Sequence, residues 1–452
     1  MHFIQPNVHG DRRRSAALDV LGAALDAVDP AAAVRRALQR EGDALRVAGQ
    51  LYDLGRFQRV LVVGAGKAAA PMTQAVEEVL GDRITAGTVT VKYGYTAPTK
   101  RVTLHQAGHP VPDSAGVTGT QAMVTLLESA GPDDLVLCLI SGGGSALMPL
   151  PVPGVTLEEL QALTDALLRS GAPIQALNAV RKHLSQVSGG QLARLAHPAT
   201  VLTLIVSDVV GSPLDVIASG PTVADLSTFQ DAWAVLARYS VLEQTPSSIR
   251  RHLERGLAGG VSETVKPGDP ALQQVRNVIV ADNALAAEAA QARARALGFN
   301  TLLLSTYVEG EAREVGRVLV ALAREIAAHG RPLSAPACLL LGGETTVTVR
   351  GAGKGGRNQE LALASALAIQ GVAGVLIASL ATDGTDGPTD AAGGLVDGAT
   401  VVRGEAAGHS AYEALAANDA YHFLGSAGDL LVTGPTNTNV NDLMAVFVGD
   451  LA

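Results

Sequence analysis

Apolar runs ending in glycine turns alternate along the chain with Ala- and Leu-rich stretches of helical period, and this alternation restricts the fold more than any other feature. Runs at residues 59–63, 88–91, 102–106, 135–140 and 201–206 read as strands. A helix between each strand and the next makes a parallel sheet covered on both faces. A second set is expected at 278–281, 301–304, 338–341, 346–349, 375–380, 430–432 and 445–448. There TTVTVRG after LLLGGE reads as a hairpin, so this half is expected to hold a mixed sheet. Residues 14–54 carry apolar positions at helical spacing and predict an N-terminal helical segment. The Gly- and Pro-rich stretch 259–270 reads as a linker. The fold class is therefore α/β, with one domain over 1–265 and a second over 266–452.

A length of 452 residues exceeds what one core serves, which supports two domains. The net charge of −9 and an aromatic share of 3% argue against nucleic acid as a partner, and the charge argues against an anionic membrane. No apolar run is long enough to span a bilayer, and the start MHFIQPNVHGDRRRS lacks the apolar centre of a signal peptide, so a cytoplasmic location is expected. Cys138 and Cys338 lie in apolar runs, where neither a disulfide nor a zinc site is expected. The oligomeric state stays open, a homodimer included.

Glycine-dense segments hold the groups capable of chemistry. VGAGKAA follows the first strand and places Lys67 beside Gly64 and Gly66. A glycine turn at a strand end lets backbone N–H groups approach an anion, and a following helix adds its positive end. Gly64, Gly66 and Ala69 meet the loose dinucleotide pattern, but the next strand ends in Lys92 where an NAD site needs an acid. A P-loop is excluded by the spacing and by Ala68 after Lys67. A phosphate or carboxylate partner for Lys67 and a snorkelling surface lysine both remain open. SGGGSAL offers Ser141, Gly142, Gly143, Gly144 and Ser145 as an anion-cradling loop, or a tight turn alone. It lacks the G-x-S-x-G elbow of a serine nucleophile.

In NAVRKHLS, Asn178 and Arg181 share a helical face that suits a carboxylate or phosphate, with a solvated face as the alternative. Asp208 ends a strand, where an open α/β sheet places its active site, and could hold Mg²⁺, accept a hydroxyl proton or cap a turn. Further on, Glu344, Arg357 and Asn358 stand at glycine turns, and the arginine fork suits a phosphoryl group. ATDGTDGPTD supplies Asp383 and Asp386, which could be ligands for Mg²⁺ or simply Asp-Gly turn residues.

Taken in order, VGAGKAA, GHPVPD, SGGGSAL, NAVRKHLS, SDVVGSPLDVIASGPT, GGETTVTVRG, GGRNQELAL, TDGTDGPTDAAG and TNVNDL resemble the glycerate 2-kinases of the MOFRL group, over roughly residues 16–448. The resemblance implies a Rossmann-like N-terminal domain, a mixed C-terminal α/β domain and an active site in the cleft between them. It implies ATP and Mg²⁺ as cofactors and phosphorylation of D-glycerate on its 2-hydroxyl. Lys67, Asp208 and Arg357 match the family's catalytic positions. Ser188, Ser212 and Asn437 depart from its usual lysine, aspartate and glycine. Some members carry a hydroxypyruvate reductase name, so an NAD(P)H-dependent reductase is the alternative activity; a sugar-acid sensor without turnover is a third reading.

Overall fold

The structure is a computed structural model that describes residues 3–4 and 11–451. The chain divides into two compact units, one of Pro30–Ser207 with Ser212–Val280 and the other of Met1–Asp29, Asp208–Gly211 and Ala281–Ala452. This differs from a break at 265/266 in two ways, each with a packing cause. The segment 259–270 is no linker: the Val265 N–H donates to the Gly189 carbonyl and the Asp225 N–H to the Val265 carbonyl. The helix Arg12–Ala27 packs on the helix Asn283–Ala296 of the C-terminal unit. Only part of 14–54 is helical, because residues 38–53 form an antiparallel sheet of β1 (Leu38–Glu41), β2 (Ala44–Val47) and β3 (Gln50–Asp53).

The N-terminal unit is built on β4 (Arg59–Ala65), β5 (Ile84–Lys92), β6 (Val102–Ala107), β7 (Asp134–Ile140), β8 (Thr200–Val206) and β9 (Val275–Ala281). Among the described residues these form one six-stranded sheet in the order β6-β5-β4-β7-β8-β9. β4, β5, β6, β7 and β8 run parallel to one another. β9, expected in the second set, completes this sheet. Every residue of β7 is buried, the signature of a strand covered on both faces. From β4 the chain winds outward to β6, then returns to add β7 on the other side of β4. The carboxyl ends of β4 and β7 therefore flank a topological switch point, where an open α/β sheet leaves a crevice for ligand. Beside this sheet, the helices Leu157–Arg169, Ile174–His183, Phe229–Arg238 and Ser247–Leu257 share an apolar cluster that includes Leu163, Phe229 and Leu253.

The C-terminal unit holds β10 (Asn300–Glu311), β11 (Ala337–Thr346), β12 (Val375–Ala381), β13 (Gly393–Asp397), β14 (Leu430–Leu431) and β15 (Asp442–Val448). Their order is β10-β11-β15-β12-β13-β14, with β10 and β11 parallel and the other pairs antiparallel, so the expected mixed sheet is present. The expected hairpin is absent. β11 runs on to Thr346, paired with Glu311 of β10, and residues 347–350 belong to no strand. Arg14 ties the first helix to this unit through Asp397 (2.5 Å) and Asp429 (2.9 Å).

Candidate active site

In the N-terminal unit the first glycine turn and SGGGSAL lie side by side, because β4 and β7 pair in register through Ala65 and Ile140. The glycines of the first turn have a packing role that the dinucleotide pattern does not express. A Cβ at Gly64 would stand 2.1 Å from the Leu139 carbonyl oxygen, and one at Gly66 would stand 2.0 Å from Ser141 Oγ. Ser141 Oγ accepts the Ala68 N–H at 3.0 Å, and the Lys67 N–H donates to the Gly142 carbonyl at 2.9 Å, stitching the two turns together.

Within SGGGSAL, the Ser141 N–H is spent on the Ala65 carbonyl and the Gly144 N–H on the Ser141 carbonyl. Those of Gly142 and Gly143 make no hydrogen bond among the described residues. The Lys67 ammonium likewise forms no ion pair among the described residues. A lysine and two unspent N–H groups on neighbouring turns at a switch point are the kind of groups that can hold an anion.

His109, from GHPVPD, borders these groups. A Cβ at Gly143 would stand 2.7 Å from its ring and 3.5 Å from Lys67 Cγ. Burial, together with the charges of Lys67 and Lys92, pushes the imidazole down to about 4, so it is neutral near pH 7. Beyond the loop, Ser145 Oγ lies 2.8 Å from Ser219 Oγ, which donates to Asn178 Oδ1 at 3.3 Å. Asn178 thus positions serines. Arg181 lines a cavity of about 400 Å³ together with Ser145 and Ser188. Its guanidinium makes no side-chain hydrogen bond or ion pair among the described residues, and burial lowers its pKa.

In the C-terminal unit, Arg357 opens the helix Arg357–Ala368. Its Nε and Nη2 donate to Asp442 at 2.6 and 3.0 Å, and its Nη1 donates to Glu344 at 2.7 Å. Full burial pushes the Asp442 carboxyl up to about 6, a rise that Arg357 only partly offsets. Arg357 itself is held charged: its burial is outweighed by Asp442 and then Glu344. Asn441 donates from Nδ2 to the other Glu344 oxygen at 2.8 Å and to the Asp208 carbonyl at 2.7 Å. Asp208, Asn441, Glu344, Arg357 and Asp442 thereby form one connected constellation.

The remaining candidates serve structure in this unit. Asp386 is buried and accepts the N–H groups of Asn358 (3.1 Å) and Gln359 (2.8 Å), so it caps the helix that Arg357 opens. The Asn358 amide bonds Asp386 and Ser379 and also supports the Asp442 carboxylate. Asp383 accepts the Thr385 N–H in a turn of its own. Ser212 and Asn437 both take left-handed backbone, at φ 53° and 59°. Asparagine tolerates that region where glycine is the ordinary choice.

The residues missed in the sequence are His109, Asn441 and Asp442. The motifs GHPVPD and TNVNDL enclosed them, but nothing local marked the individual side chains.

Comparisons with known proteins identify the family. The model described as "Domain of unknown function (DUF4147)" matches residues 16–254, and that of the MOFRL family matches 337–442. The chain is 43% identical to a glycerate 2-kinase of Pyrococcus horikoshii over 96% of its own length and 97% of the relative's. It is 44% identical to a D-glycerate 2-kinase of Thermotoga maritima, covering 95% and 96%. The chain belongs to the glycerate 2-kinase family. It is an enzyme of that family, a kinase. The solved structure of a Thermotoga maritima glycerate kinase matches with a TM-score of 0.86 at 43% identity, over 96% of this chain and 99% of that one. An Agrobacterium vitis relative, 44% identical over 86% of this chain and 87% of its own, carries a provisional hydroxypyruvate reductase name.

The donor set here does not form a cage for a divalent cation. Among the described residues no group of three or more His, Cys, Asp and Glu side chains is arranged to hold a metal. Asp386 is committed to its helix, whereas Asp383 gives one carboxylate oxygen to its turn. Also among the described residues, no helix is long and apolar enough to cross a membrane.

Proposed function

We propose that the enzyme transfers the γ-phosphoryl group of ATP to the 2-hydroxyl of D-glycerate, giving ADP and 2-phospho-D-glycerate. The observation that carries this reading is Lys67 beside the unspent N–H groups of Gly142 and Gly143 at the β4/β7 switch point, a seat made for phosphoryl oxygens. The relatives' names supply the acceptor. A divalent cation held by the nucleotide phosphates and water would neutralise part of the phosphate charge.

Each residue has its own role in this proposal. Lys67 and the two N–H groups hold and neutralise the transferring group. Arg357, its fork fixed by Asp442 and Glu344, adds a second positive charge already oriented before substrate arrives. Asp208, joined to that constellation through Asn441, orients the acceptor hydroxyl and takes its proton. Neutral His109 fills the space behind Gly143 without adding charge to the seat.

A nicotinamide-dependent reductase finds less support. Gly64 and Gly66 are explained by the close approach of β7, and β5 ends in Lys92 rather than a ribose-binding acid. Parallel incubations test the reading: D-glycerate with ATP and Mg²⁺, and hydroxypyruvate with NADH or NADPH. ADP formation that depends on D-glycerate is the expected result. Cofactor oxidation without ADP would replace the kinase by the reductase, and neither product would leave a binding protein.

A further inference from the structure

The cavity that Arg181 lines is larger and more apolar than a three-carbon acid requires. Its volume of about 400 Å³ lies in the range of pockets for drug-sized ligands. Val111, Met148, Leu150 and Leu160 form apolar walls. D-glycerate has a polar group on every carbon, and would leave those walls uncovered and its own hydroxyls unpaired. At the polar end, the opposite need arises. A largely buried guanidinium without a carboxylate partner is a charge awaiting an anion, and Ser145 and Ser188 line the same cavity. Ser145 also belongs to the loop whose Gly142 and Gly143 face Lys67, so the polar end of the cavity continues into the phosphoryl seat.

A ligand that fits both ends has a flat apolar body joined to a chain of anionic groups. Resting on the kinase reading above, we propose that this cavity seats the base and ribose of the nucleotide, and that Arg181 binds one of its non-transferred phosphates. The triphosphate then runs from Arg181 past Ser145 toward Lys67, and the acid binds elsewhere. Arginine suits this task because its planar fork takes two phosphate oxygens at once.

Two variants test the assignment. Leu168 lines the cavity yet is 59% exposed, so Leu168→Trp narrows the pocket while leaving the core untouched. Binding of ADP and of adenosine is measured by calorimetry, and KM is measured for ATP and for D-glycerate. Leu168→Trp is expected to weaken ADP and adenosine alike by about tenfold and to raise KM for ATP, with KM for D-glycerate within about twofold and an unchanged thermal midpoint. Arg181→Gln is expected to weaken ADP by about tenfold and to leave adenosine binding unchanged. The assignment is overturned if Leu168→Trp raises KM for D-glycerate alone, if it changes neither KM, or if the wild type binds no ADP. The two readings fail separately. Wild-type protein that binds ADP in this pocket but forms none from ATP and D-glycerate would sink the kinase reading and keep the pocket.

Discussion

Replacing Asp442 by asparagine isolates the device that holds Arg357. The Asp442 carboxylate is fully buried and takes two of the guanidinium's hydrogen bonds, while Glu344 takes a third. Burial raises the Asp442 carboxyl from its ordinary 3.8 to about 6. Below that pH it gains a proton and Arg357 loses its better counter-charge. One unit below its pKa an acid is about nine-tenths protonated, so at pH 5 the wild type should keep about a tenth of its plateau kcat. Asp442→Asn fixes the neutral form. It should lose about 10²-fold in kcat at pH 7.5, the scale of a mispositioned charged group, and its profile between pH 5 and 7 should flatten.

Stability separates this from unfolding. A carboxyl raised in the folded state contributes stability below its unfolded pKa and loses it as pH rises from 3.8 through about 6. Activity and this group's share of stability therefore move in opposite directions over the same window. Removing one partner of a fully buried pair costs about 3–5 kcal/mol. Here the fold already disfavours the Asp442 anion and Arg357 keeps Glu344, so Asp442→Asn should stay within about 1 kcal/mol of wild type at pH 7.5, read by urea titration. The assay is initial velocity with ATP saturated by Mg²⁺, so that any slope shared by both proteins belongs to the nucleotide. A variant within about twofold of wild type at pH 7.5, or one that keeps the wild-type slope, would refute the role given to Asp442.

Lys67→Ala should lower kcat about 10²- to 10³-fold with an unchanged thermal midpoint, since its side chain makes no ion pair among the described residues; a loss under threefold would remove Lys67 from the transfer. Asp386→Ala should cost about 1–2 kcal/mol as a lost helix cap and leave the Mg²⁺ concentration for half-maximal rate unchanged. A rise of tenfold or more in that concentration would make Asp386 a metal ligand after all. Arg14→Met should destabilise the C-terminal unit by about 3 kcal/mol, because the buried Asp429 then keeps only Arg403 as a counter-charge, beside the Thr400 hydroxyl. A urea midpoint equal to wild type would show that Arg14 adds nothing.

How far these features were legible in the sequence depended on whether their causes were local. β4, β7 and β8 are continuous apolar runs because both faces are covered, and such runs stand out without structural help. β1, β2 and β3 are four residues each with charged positions between apolar ones, a pattern that also suits a helix. β13 begins with two glycines and showed no strand pattern at all. TTVTV alternates like a strand, yet pairing stops at Thr346, where the partner strand β10 ends. Lys67 and SGGGSAL stood out because glycine turns at strand ends have a chemical use. What the sequence could not reveal is that Gly64 and Gly66 make room for Leu139 and Ser141. Asp442 lay out of reach for the same reason: its meaning comes from Arg357, 85 positions away in the chain.

Phosphorus NMR of a completed reaction with D-glycerate, ATP and Mg²⁺ tests the central claim most directly, because it identifies the product as well as the turnover. ADP together with a phosphate resonance coupled to the single C2 proton, matching authentic 2-phospho-D-glycerate, is the predicted result. Coupling to the two C3 protons, or ADP accompanied only by inorganic phosphate, would contradict the account.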